Sequence, residues 1–144
     1  HTNDAAGAIS RLLDMGVEPY LLSSALLGVV AQRLVRTICP SCKTHSLAPP
    51  EIIERYNWQE HKKLKLARGR GCPECYDSGY RGRIALHELL IADEDIQKLM
   101  ISSPSRDTLA QALREKDVRS LFDDGLLRVG EGLTTIEEVS RVSF

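Results

Sequence analysis

The sequence predicts a mainly α chain whose middle third is a small, loop-rich β insertion organised by cysteine. Three observations carry this: apolar residues recur at helical spacing in the first and last thirds, all four cysteines fall in two Cys-x-x-Cys pairs, and Pro40, Pro49, Pro50, Pro73 and a Gly-rich stretch from Gly69 to Gly82 crowd the middle. At 144 residues and 16.0 kDa the chain is long enough for one domain or two small ones without disulfide staples.

From Asn3 to Gly16 the pattern is a short amphipathic helix. Asn3 or Asp4 is the candidate cap, and Ala5, Ala8, Ile9, Leu12 and Leu13 share one face. Gly16 supplies a left-handed stop, and Pro19 suits the first turn of a second helix. Leu21 to Val35 is apolar on nearly every side and is expected to be a buried helix, with Gln32, Arg33 and Arg36 grouped near its C-terminal end. In the middle, Pro50 to Asn57 reads as a short helix, Lys63 to Ala67 alternates as a half-buried strand, and Arg83 to Leu90 reads as another strand. The last third returns to helices. Asp93 caps a turn carrying Ile96, Leu99 and Met100, Ser105 caps one carrying Leu109 and Leu113, and Ser120 to Val129 forms a third. Thr135 followed by Glu138 has the pattern of a capping box ahead of Val139 and Val142.

Charge excludes more than it selects. Nineteen Lys+Arg against 20 Asp+Glu give a net charge of -1, so no sequence-wide field favours nucleic acid or an anionic membrane. The longest apolar run, Ala25 to Ala31, falls far short of the about 20 residues that a transmembrane helix needs. No export signal is evident, and a first residue His1 in place of Met reads as the start of an excised piece of a larger cytosolic protein.

Cys39-Pro-Ser-Cys42 and Cys72-Pro-Glu-Cys75 each form a knuckle able to present two sulfurs, and two knuckles complete a tetrahedron around one zinc ion. Four thiolates leave no open coordination position, so the site is structural rather than catalytic. The intervening loop is longer than is usual for zinc sites, which loop entropy tolerates because it grows only logarithmically. An iron-sulfur cluster, two disulfides and a redox dithiol are the alternatives. His45, His61 and His87 lack the pairing of a ligand set, and His87-Glu88 is not followed by the second histidine of a metalloprotease helix. Arg68, Arg70, Arg81 and Arg83 with Lys62, Lys63 and Lys65 surround the second knuckle, but only Tyr76 and Tyr80 are at hand for base stacking, so nucleic acid is not expected as a partner.

Several segments together resemble the C-terminal part of the secretion-superfamily ATPases of type II secretion and type IV pilus assembly. They are His1-Thr2-Asn3-Asp4, Arg11 to Gly16, Ala31 to Arg36, the paired cysteines, Gly79 to Arg83 and Asp124-Gly125-Leu126. Leu21 to Ser24 and Leu26 to Val29 are most similar to the type II secretion branch.

The resemblance implies a remnant of a RecA-like α/β ATPase core over 1–38, a tetracysteine zinc-binding subdomain over 39–82 and a C-terminal helical subdomain over 83–144. It further implies a homo-hexamer that binds ATP and Mg²⁺, is cytoplasmic and peripheral to the bacterial inner membrane, and acts on inner-membrane platform proteins. His1 falls at the end of the family's histidine box, and it, Arg33 and Arg36 are the nucleotide-sensing candidates. No G-x-x-x-x-G-K-[ST] loop is present, so this chain by itself is expected not to hydrolyse ATP. A type IV pilus extension ATPase and a free-standing zinc-ribbon adaptor for nucleic acid or protein are the rival functions. An apolar face that the rest of a parent protein would cover is expected to pair isolated chains as dimers.

Overall fold

The computed structural model describes Thr2, residues 4–56 and residues 65–143. Helix α1 (Ala5–Asp14) starts at Asp4, whose carboxylate accepts the Gly7 N–H at 2.7 Å. It stops in a Schellman turn: Gly16 lies at φ 88°, the Gly16 N–H donates to Leu13 O and the Val17 N–H to Leu12 O. Asn3, the other candidate cap, lies outside the described residues. Helix α2 (Pro19–Ala25) opens on proline as expected but is only seven residues long.

The expected buried helix from Leu21 to Val35 is replaced beyond Ala25 by strand β1 (Gly28–Ile38). Val29, Val30, Val35, Thr37 and Ile38 are β-branched and fit a pleated backbone better than a helix. Burial alternates with period two from Ala31 to Arg36, and a Cβ on Gly28 would meet Leu90 O at 2.6 Å. Gln32, Arg33 and Arg36 therefore sit on a strand and not at a helix C-terminus. Helices still predominate, but strand is not confined to the cysteine segment.

The remaining elements are β2 (Lys43–Leu47), α3 (Pro50–Arg55), β3 (Lys65–Gly69), β4 (Tyr80–Ile91), α4 (Glu94–Ile101), α5 (Arg106–Glu115), α6 (Leu121–Gly130) and α7 (Ile136–Ser143). Strand β1 pairs with β4. Strands β2 and β3 pair antiparallel, in a register running from Lys43 opposite Gly69 to Leu47 opposite Lys65. Asn57 and Lys63, the expected limits of α3 and β3, lie outside the described residues.

The chain divides into two compact units, each drawing on separated stretches of sequence. One contains 1–33, 86–124 and 143–144. Its core joins Ala5, Ala6 and Ile9 of α1 to Leu22, Leu90, Ile96, Met100, Leu109 and Leu113. Asp93 caps α4 and Ser105 caps α5 as the sequence predicts. A buried carboxylate, Glu88 of β4, accepts the Ala5 N–H at 2.8 Å and the Leu121 N–H at 3.4 Å, so one side chain closes the starts of α1 and α6.

The other unit contains 34–85 and 125–142. It buries Val35, Ile38, Cys39, Ala67, Cys75, Val129 and Val139. Gly125 lets α6 meet α7 closely, since a Cβ there would stand 2.3 Å from a Val139 methyl. Thr135 caps α7 by accepting the Glu138 N–H at 3.4 Å. The second half of the expected capping box is not made as the pattern suggests: the Glu138 carboxylate instead takes the Arg36 backbone N–H at 2.9 Å, the Arg36 guanidinium at 2.6 Å and Arg141 at 3.0 Å. A true box occurs at α6, where Ser120 and Asp123 each accept the other's backbone N–H at 3.2 Å.

Candidate metal centre

The two Cys-x-x-Cys pairs close as single 3₁₀ turns, Pro40–Cys42 and Pro73–Cys75, with the proline pre-setting the first turn. Cys39 follows the end of β1, Cys42 precedes β2, and Cys72 and Cys75 span the link from β3 to β4. Backbone hydrogen bonds lock the knuckles together: the Cys39 N–H donates to Gly79 O at 2.9 Å and the Arg70 N–H to Cys42 O at 3.1 Å. Gly69 and Gly79 permit this approach, because a Cβ on Gly69 would fall 2.0 Å from Gly79 O.

The four sulfurs converge, all within 4.8 Å of one another. Cys39 Sγ lies 3.9 Å from Cys72 Sγ, Cys42 Sγ 3.9 Å from Cys75 Sγ, and Cys72 Sγ 3.7 Å from Cys75 Sγ. Tetrahedral thiolates about 2.3 Å from a zinc ion stand about 3.8 Å from one another, so the spacing fits one mononuclear metal. A multinuclear iron-sulfur cluster, which binds its cysteines through different irons, needs them further apart. A disulfide needs its sulfurs at about 2.05 Å, and all four cysteines are free thiols.

The surroundings favour charge on sulfur unevenly. Burial raises Cys72 to about 12, aided by its contact with Cys75, and burial also raises Cys42. Burial acts on Cys75 in the same direction, but the N–H groups of Gly79 and Cys72, each 3.3 Å from its sulfur, outweigh it and bring the thiol down to about 7. Cys75 is thus more readily ionised than Cys72 or Cys42, and a divalent cation bound at the cluster would favour the thiolate form of its ligands.

The other sequence-picked residues fall elsewhere. Arg36 is bound to Glu138 and covers the Tyr80 ring at 4.3 Å. Arg33 donates to Thr2 O at 3.0 Å. His45 and His87 are exposed on β2 and β4 and do not join the sulfur cluster, while His1, His61, Lys62 and Lys63 lie outside the described residues. The sequence marks Glu138 only as half of a capping box and Glu88 only as the neighbour of His87; their organising roles are not legible there, because nothing local marks a carboxylate whose partners are 83 or 102 residues away. Among the described residues no helix is long and apolar enough to cross a membrane.

The chain is 47% identical over 143 residues to the type II secretion system ATPase E of Vibrio cholerae, and 45% identical over 143 residues to the type II secretion system protein E of Pseudomonas aeruginosa. Each alignment covers 99% of this chain and 28% of the relative. The type IV pilus assembly ATPase PilB of Thermus thermophilus is 43% identical over 141 residues, covering 96% of this chain and 16% of its own length. The chain therefore spans under a third of the length of these relatives. Residues 1–141, with both cysteine knuckles inside them, match the family described as type II/IV secretion system protein, and the chain belongs to that family.

Proposed function

We propose that the chain is the C-terminal region of a hexameric ATPase that powers type II protein secretion, with one structural zinc ion held by Cys39, Cys42, Cys72 and Cys75. The observation that supports this most is the 47% identity with a type II secretion ATPase across 99% of the chain. In this reading 1–38 complete a RecA-like core, 39–82 are the metal-bound subdomain and 83–144 are the helical subdomain. ATP and Mg²⁺ bind in the parent through residues this chain lacks, on the cytoplasmic side of the inner membrane. The role of the present residues is coupling: they pass motion from the nucleotide site to platform proteins in that membrane. His1, Arg33 and Arg36 are the nucleotide-sensing candidates.

Zinc, rather than a redox metal, suits this role, because a closed four-thiolate shell is inert and its binding free energy becomes folding free energy. A pilus-extension ATPase is the second reading, carried by the 43% identity to the Thermus protein. The test uses the parent protein and its gene. Expected are one zinc per chain by elemental analysis, ATP hydrolysis by the parent, none by residues 1–144 alone, and retention of secreted proteins in a deletion strain. A parent without ATPase activity would overturn the motor reading, and loss of pili with normal secretion would favour pilus assembly.

A further inference from the structure

In the second unit, α3, the β2–β3 hairpin and the start of α7 enclose a groove of about 600 Å³ that no part of the metal centre occupies. Ile52 and Tyr56 of the α3 turn lie four apart on one helical face, Leu66 comes from β3, Tyr80 from β4 and Ile136 from α7. All five are half-buried and together make an apolar floor. The volume falls within the range typical of ligand and peptide sites, about 300 to 1,000 Å³.

Its rim is cationic. Arg55 and Arg68 are exposed, both line the groove, and neither forms an ion pair among the described residues. Among the described residues Glu137 is the one carboxylate in the lining. The wider segment has the same sign, with nine Lys+Arg against five Asp+Glu in residues 39–85 of a chain whose net charge is -1. Tyr and Arg are also the residue types that most often carry binding energy at protein interfaces.

We propose that this groove docks a segment of a partner protein that is acidic and carries an aliphatic or aromatic anchor. The anchor lies against Tyr56, Tyr80 and Ile136, and flanking carboxylates meet Arg55 and Arg68. The concave apolar floor distinguishes this from a flat anionic membrane surface. Glu137, standing on the rim, disfavours a phosphate backbone laid along it. The proposal does not depend on the motor reading, since it uses only the surface of this unit.

The test titrates the metal-loaded chain with a short synthetic peptide that repeats Leu at helical spacing among Glu residues, and with its counterpart carrying Lys for Glu. Binding is followed by nuclear magnetic resonance at Tyr56, Tyr80 and Ile136. The acidic peptide is expected to shift these resonances. Arg55→Glu or Arg68→Glu should weaken it about tenfold, while Glu137→Gln should tighten it about twofold. Lys98→Glu, on α4 in the other unit, should change nothing. Equal binding of the Lys peptide, no shift at these residues, or the same shifts produced by phosphatidylglycerol vesicles or a single-stranded oligonucleotide would overturn the proposal.

Discussion

Glu138 is 2% exposed, yet its carboxylate is kept ionised by two arginines and a backbone N–H. Burial works to raise its pKa, but the hydrogen bonds from Arg36 and Arg141 prevail and hold it at about 2. The folded value lies below the unfolded one, so the stabilisation is full above about pH 4.5 and is lost as the pH falls toward 2. Glu138→Gln should therefore cost about 3 kcal/mol at neutral pH and flatten the acid limb of the stability curve. Thermal melts of both proteins between pH 2 and 7 check this, and parallel curves would exclude a charge-based role for Glu138. Arg36, which the sequence offered as a candidate for sensing nucleotide, is engaged in this local ion pair with its side chain half exposed.

At the scale of elements, the parts legible in sequence were those whose signal is local. Asp4, Asp93 and Ser105 cap the helices they precede, Gly16 ends the first, and the cysteine knuckles close where the x-x spacing places them. The stretch from Leu21 to Val35 reads ambiguously because a largely apolar stretch marks a buried helix and a buried strand alike. The β-branched residues and Gly28 were the arbiters, and they favoured the strand that β4 completes. Within the candidate metal site the pairing of the four cysteines was readable, but the close approach of Gly69 to Gly79 was not, since it joins the end of β3 to the turn before β4. Gly69→Ala pushes a methyl into that contact, and the backbone has to yield. Metal affinity should fall by about 10- to 100-fold, as for other residues that position a ligand shell. Competition with a chromophoric chelator measures it, and an unchanged affinity would mean that the knuckles close without this contact.

For the molecule as a whole, a metal held by the four cysteines would support the two units to different degrees. The first unit is held by α1, α4 and α5 around Ile9, Ile96, Met100 and Leu109, with no cysteine among its core residues. The second buries Cys39 and Cys75 alongside Val35, Ile38 and Ala67, and its hairpin of two five-residue strands is too short to persist without further support. Removing the metal should accordingly strip amide protection from 39–47 and 65–85 while leaving α1, α4 and α5 protected, because metal binding free energy is folding free energy only where the ligands reside. Hydrogen exchange read by mass spectrometry, before and after chelation under reducing conditions, gives the pattern directly. Protection lost evenly across the chain would mean that the two units unfold as one. Protection kept in the hairpin after verified metal loss would mean that apolar packing around Val35 and Ala67 suffices there, and that the four sulfurs converge for a purpose other than stability.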